Sequence, residues 1–217
     1  MISNRLKTIA SFIDKSDSVV DIGTDHGFLA IYLHKNALCK NICASDINVN
    51  ALKNAQNNIT AHKLTKQIPT VLSDGFASVD VELYNTAIIA GMGTSTICKI
   101  LDNKKSLRIE KFIIQTNNEH ARLRTYMNKL GYYLNAEKVL QDRRKFYIIM
   151  QFIRANKNNT KEELLFGLPS IEHKTYYLEM LLVNSTILNQ IPKKRLILRF
   201  KQKTYIKRIK TFIKKCG

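Results

Sequence analysis

Short apolar runs alternate, along the first two thirds of the chain, with stretches whose apolar positions recur at helical spacing. The runs at residues 18–23, 41–46, 68–72, 86–90 and 111–115 are continuous, and glycine or aspartate closes or follows most of them. Such runs belong to strands buried on both faces, as in a parallel sheet covered by helices. Helical patterns cover 28–35, 49–62, 95–101 and 119–130, and Leu6, Ile9, Ala10 and Ile13 mark a short amphipathic helix before the first strand. Two more β-like runs, 133–140 and 146–153, flank the polar turn 141–145 and read as an antiparallel hairpin at the sheet edge. The order predicts an α/β fold with a mostly parallel, seven-stranded, Rossmann-like sheet.

After residue 153 the pattern changes. Residues 154–161 form a polar linker, followed by a short stretch at 162–168 and two long helical patterns, 171–190 and 193–214, split by Ile191-Pro192. Leu196, Phe200, Ile206, Ile209 and Ile213 make an apolar stripe, which we assign to packing between the two helices as an antiparallel α-helical hairpin. The expected domains are 1–155 and a helical extension over 160–217. No run reaches the roughly 18 apolar residues of a membrane span, and residues 1–15 lack the apolar core of a signal peptide, so a cytoplasmic protein with no membrane contact is expected.

Composition adds a core and a charge. In 217 residues, 45% are hydrophobic and 8% aromatic, enough to exclude disorder despite a net charge of +18. That charge is uneven. Residues 1–150 hold 20 basic and 13 acidic side chains, whereas 151–217 hold 15 and 4, and none of the acids lies between Lys193 and Lys215. A field of this sign favours a polyanion, and we expect nucleic-acid contacts from Lys193, Lys194, Arg195, Arg199, Lys203, Lys207 and Arg208. Arg122, Arg124, Arg143, Arg144 and Lys145 form a second candidate strip on the first domain. The four cysteines and five histidines lack zinc-ligand spacing, so no metal is expected.

Glycine is scarce, eight residues in all, and Gly23, Gly27, Gly75, Gly91 and Gly93 fall just after proposed strands. Open α/β sheets bind ligands at that edge. Acids gather there too: Asp21, Asp25, Asp46 and Asp74. Asp46 ends the second strand, where a carboxylate accepts ribose hydroxyls. The first loop, Gly23-Thr24-Asp25-His26-Gly27, carries an acid where a dinucleotide pyrophosphate would need bare backbone amides, which disfavours an NAD-dependent oxidoreductase. A ribose-bearing, phosphate-free and cationic ligand fits better, and S-adenosylmethionine has those properties. The competing reading is that Asp21 or Asp25 caps the following helix.

These residues resemble a known family. The strings at residues 5–13 (RLKTIASFI), 20–29 (VDIGTDHGFL), 73–75 (SDG) and 90–93 (AGMG) are similar to those of the bacterial TrmK family, tRNA (adenine(22)-N(1))-methyltransferases. The resemblance implies a class I Rossmann-like methyltransferase domain followed by a coiled-coil-like helical extension that binds tRNA. It implies that Asp21, Gly23, Thr24 and Asp25 surround the methionine part of S-adenosylmethionine. Asp46 and Ile47 would hold ribose and flank adenine, Asp74 and Gly75 would meet the adenine edge, and Ala90, Gly91, Met92 and Gly93 would floor the transfer chamber. The chain departs from the family at Thr94, where a second glycine is usual, and at Thr116, where proline follows the glutamine. Both border the expected target-base pocket.

Adenine N1 carries its own lone pair, so transfer chiefly requires near-attack geometry. The methylated base is cationic, and an acceptor beside its exocyclic amine would stabilise the developing charge. Asp25 is assigned that role, with His26 as its orienting or proton-accepting partner. His34, His62, His120 and His173 are assigned to surface or packing. The Asn-Pro-Pro-Tyr motif of exocyclic-amine methyltransferases is absent after the fourth strand. A monomer is expected. The alternatives are a non-catalytic RNA-binding protein with a relic domain and a methyltransferase acting on another RNA.

Overall fold

Each continuous apolar run becomes a strand of one sheet in the computed structural model, which describes residues 2–142 and 145–217. The strands are β1 (Ser18–Ile22), β2 (Asn41–Asp46), β3 (Thr70–Leu72), β4 (Thr86–Met92), β5 (Lys111–Thr116), β6 (Tyr132–Asp142) and β7 (Lys145–Arg154), in the order β3-β2-β1-β4-β5-β7-β6. The first five are parallel, and β7 runs antiparallel to both β5 and β6. β1 is central, with Val20 opposite Cys43 on one side and Ala87 on the other. Chain order reverses across β1 and β4, which opens a crevice at their carboxyl ends.

Helices α1 (Asn4–Ala10), α2 (Phe28–Lys35), α3 (Val49–Ala61), α4 (Thr94–Leu101) and α5 (His120–Lys129) accompany the sheet. One core joins Ile9 and Phe12 to Leu29, Leu33 and Ile59 over the apolar faces of Val19, Ile42, Ile88 and Ile113. Edge-to-face contacts of Phe112 with Phe76 (6.2 Å) and Tyr132 (5.0 Å) tie β5 to β6 and to the segment after β3. The expected third strand shortens to three residues because Pro69 cannot donate a ladder hydrogen bond. β4 runs two residues beyond its expected end, with a register shift between Ala90 and Met92 that Gly91 permits at φ +84°.

The chain divides into two compact units, Met1–Leu165 and Phe166–Gly217. The division falls beyond the polar stretch at 154–161 because that stretch is fastened to the first unit. Asn159 accepts from the backbone N–H of Leu134 (2.7 Å) and donates to its carbonyl (3.3 Å). Thr160 and Glu163 cap helix α6 (Lys161–Phe166) reciprocally, at 2.8 and 3.2 Å.

In the second unit α7 (Lys174–Gln190) packs against α8 (Leu196–Lys215). Phe212 lies 5.1 Å from Phe166 and 4.9 Å from Tyr177 in a core shared with Ile206 and Ile209. The expected packing stripe is corrected at its start, since Leu196 and Phe200 are 73% and 72% exposed. The helical line back from Ile209 through Ile206 reaches Gln202 and Arg199 instead. Gln202 donates to the Asn184 carbonyl (2.9 Å), and Arg199 to the carbonyls of Leu188 (3.1 Å) and Ile191 (2.6 Å), capping the end of α7. Lys193, Lys194 and Arg195, expected on the helix, precede it in the turn after Pro192.

Candidate functional site

The carboxyl ends of β1, β2 and β4 frame a cleft of about 620 Å³. Its floor is built from backbone. The amides of Gly23 and Thr24 both donate to the Ser45 carbonyl (2.8 and 2.9 Å), which locks the loop after β1 to β2. Gly23 stands at φ +77°, and a Cβ there would meet the methyl of Met92 at 2.1 Å. Glycine is therefore favoured by conformation, while the flexible end of Met92 would have to move to admit a side chain. Asp25, in a place where the generic pattern has glycine, adopts φ +54°, a left-handed conformation that aspartate tolerates better than most residues.

Asp46 is buried at the end of β2. One carboxylate oxygen accepts the Asp25 amide (3.1 Å) and the other the Asn48 amide (2.9 Å). Each oxygen keeps a second lone pair, and the residue lines the cleft. Asp21 is buried beneath it and accepts the Thr24 hydroxyl at 2.7 Å. Burial pushes the Asp21 carboxyl up to about 6; the Thr24 bond opposes that rise, Asp46 adds to it, and Arg5 opposes it. Two carboxylates over open backbone suit a cationic ligand with ribose hydroxyls and repel a pyrophosphate. Neither Asp21 nor Asp25 caps α2, whose N-cap is Gly27 with no side-chain bond, so the capping alternative falls.

The remaining cofactor candidates line the same cleft. Ile47 projects 63% exposed, and Asp74 lies at the surface beside buried Gly75. The Ser73 hydroxyl donates to the Gly75 carbonyl (2.9 Å) and receives the Ser78 amide (2.9 Å), which shapes that turn. Ala90, Gly91 and Met92 form the wall from β4. Gly93 is extended, at φ −76°. Asp25 and His26 meet at 3.4 Å (Oδ2 to Nε2) with both side chains about half exposed or more, and the His26 ring stacks on Phe28 at 5.4 Å.

Sequence reasoning assigns no site role to Arg5, Gln115, Asn117 or Asn118. Arg5 of α1 enters the cleft and donates from Nη1 to Gln115 Oε1 at 2.7 Å, across 110 residues of chain. Gln115 Nε2 donates to Asn117 Oδ1 (3.2 Å), and Asn117 Nδ2 donates to the Gly91 carbonyl (2.7 Å). Asn118 Oδ1 accepts the Thr94 amide (2.9 Å), so a neighbouring loop caps α4 where Gly93 offers no side chain. His120 begins α5 half-buried, its ring pushed down to about 4 by burial and by Arg124.

The basic residues separate into two groups. Lys193, Lys194, Arg195, Lys203, Lys207 and Arg208 are exposed on the second unit, whereas Arg199 is spent on α7. Arg122 pairs with Glu119 (2.9 Å) and bonds Ser95 (3.1 Å) at the surface. Arg124 is no surface contact: it is 2% exposed and forks onto Glu137 through Nε (3.0 Å) and Nη2 (2.8 Å). Arg143 and Arg144 lie outside the described residues.

The methyltransferase domain family matches residues 2–150. A Mycoplasma genitalium protein provisionally named a tRNA methyltransferase is 32% identical over 78% of this chain and 79% of its own length. The Bacillus subtilis tRNA (adenine(22)-N(1))-methyltransferase is 28% identical over 69% of this chain and 63% of its own. The structure of Mycoplasma capricolum TrmK with S-adenosyl-homocysteine superposes at a TM-score of 0.87, with 30% identity over 100% of both chains. The strand order, the acidic cleft and these likenesses converge: the chain belongs to the TrmK family of methyltransferases.

Proposed function

We propose that the cleft binds S-adenosylmethionine and that the chain transfers its methyl group to N1 of adenine 22 in tRNA. The observation that carries this is the pair of buried carboxylates, Asp21 and Asp46, set over the open backbone of Gly23. The free lone pairs of Asp46 face a ribose diol, and the ionised Asp21 faces the positive end of the methionine moiety. Bound there, the cofactor supplies an electrophilic methyl on a sulfonium.

The protein's part is positional. Met92 and Gly91 wall the chamber, and the Arg5–Gln115–Asn117 chain holds the Gly91 carbonyl in place. Asp25 stands at the open rim, where its carboxylate stabilises the charge that grows on the base and His26 orients it. The exposed cations of the second unit supply phosphate contacts. Among the described residues no helix is long and apolar enough to cross a membrane. We place the enzyme in the cytoplasm, working as a monomer.

Tritium transfer from labelled S-adenosylmethionine to an unmodified tRNA transcript, followed by nucleoside analysis, tests the activity. The label is expected in 1-methyladenosine and to vanish when adenine 22 is replaced. No incorporation would favour a relic domain, and label in another RNA would redirect the substrate. Asp46→Ala is expected to weaken cofactor binding at least about tenfold by calorimetry, since it removes both ribose acceptors.

A further inference from the structure

We infer that the start of α8 is a stacking platform for an unpaired RNA base, with Phe200 as the ring on which the base lies. The inference rests on the tRNA reading above and specifies how the second unit engages RNA. Phe200 and Ile197 are 72% and 74% exposed. The helix turns its other side, through Arg199 and Gln202, onto α7. Phe200 therefore points away from its own unit's core.

The cations around it choose the occupant. Lys201, Lys203 and Lys207 are exposed on the same stretch of helix, and no acid occurs from Lys193 to Lys215. A second copy of this surface would bring like charges together. An anionic lipid surface would want an apolar face along the whole helix. On α8 the outward line continues from Phe200 into Thr204, Lys207 and Thr211, so that helix's exposed apolar stretch, Leu196 to Phe200, ends after about a turn and a half; α7 exposes Leu178, Leu182, Val183 and Ile187, with few charges among them. A single exposed ring flanked by Lys194, Lys201 and Lys203 suits a base face and its neighbouring phosphates. Aromatic platforms within basic surfaces are how single-stranded and looped RNA is held.

The platform predicts a division in salt dependence that ordinary charge contact does not. Stacking releases no counterions, whereas each phosphate-bound lysine adds just under ~1 to the slope of log affinity against log salt. Binding of the full-length protein to an unmodified tRNA transcript should be followed by fluorescence anisotropy across a salt series. Phe200→Ala is expected to weaken binding at least about fivefold with an unchanged slope, Phe200→Trp to retain it, and Phe200→Leu to behave like the alanine variant. Lys203→Ala and Lys207→Ala are expected to lower the slope.

Equal affinity of Phe200→Ala and the wild type overturns the inference. So does full binding by Phe200→Leu, which needs apolar area without a ring face. Dimerisation or binding to anionic phosphatidylserine vesicles that Phe200→Ala abolishes would overturn it by giving the patch another occupant. Wild-type protein that binds no transcript would instead sink the tRNA reading itself.

Discussion

The hydroxyls of Thr94 and Thr116 lie 2.9 Å apart in a buried seam between the start of α4 and the end of β5. The Thr94 hydroxyl also reaches the Asn118 carbonyl at 2.6 Å. These are the two positions at which the chain departs from its family's glycine and proline, and they meet each other. Each departure supplies a hydrogen-bonding neighbour to the other.

Thr94→Val should therefore destabilise the protein by ~1 kcal/mol, because it removes the hydroxyl's bonds to Thr116 and to the Asn118 carbonyl, while Thr116 still donates to that carbonyl at 3.1 Å. Urea unfolding at constant m measures it. The double variant Thr94→Val/Thr116→Val should lose less than the sum of the single losses, since the Thr94–Thr116 bond is broken by either change and is counted in both.

Asp21 makes both stability and cofactor affinity depend on pH, in opposite senses. Its carboxyl titrates near 6 in the folded protein, above the 3.8 of an unhindered aspartate. Between those values the folded state holds more protons than the unfolded one, so the stability of the ligand-free protein falls as pH rises through that window. The full shift corresponds to at most about 3 kcal/mol. Affinity for the cationic cofactor should rise over the same range as the carboxylate forms. Asp21→Asn should flatten both profiles, with weak binding at every pH and unfolding less sensitive to pH between 4 and 7.

Arg5 tunes that titration from the opposite wall. Its charge holds the Asp21 carboxyl lower than burial and Asp46 alone would set it. Arg5→Ala should move the midpoint of the affinity profile to higher pH. Arg5→Lys should keep the midpoint but slow methyl transfer, since a lysine retains the charge and loses the rigid Nη1 donor that orients Gln115. Calorimetry across pH together with single-turnover rates separates the two effects.

A protein ending at Leu165 should bind cofactor within about twofold of the full chain, because every residue lining the cleft lies in the first unit. It should bind tRNA far more weakly and with a shallower salt slope. Truncated protein that matches the full chain in both measures would move the docking surface onto the first unit.

The sheet and its ligand edge were readable from the sequence because central parallel strands are apolar on both faces and glycines mark their ends. Asp21, Gly23, Asp46 and Gly75 could thus be placed on one cleft before any coordinates. Residues whose role arises from distant chain meeting chain were not readable. Arg5 and Gln115 are an instance, as is Asn118, which caps a helix from another loop. Side-chain commitment was equally hidden: Arg124 looks like a surface cation until Glu137 is found beside it in the core. On α8 a shift of one residue around the helix exchanged Arg199 for Phe200 on the packed face.

The fastening of Asn159 to Leu134 has one more effect. β6 is one of the two edge strands, and its pairing with β7 shifts register between Leu134 and Ala136. By meeting both the N–H and the carbonyl of Leu134, the Asn159 amide stands in for a single residue of a missing eighth strand. Lys157 lies over the neighbouring Tyr133 ring at 3.8 Å and brings a charge to the same border. At that point the β6 edge is covered and charged, which hinders strand-to-strand addition by another chain at the start of the strand.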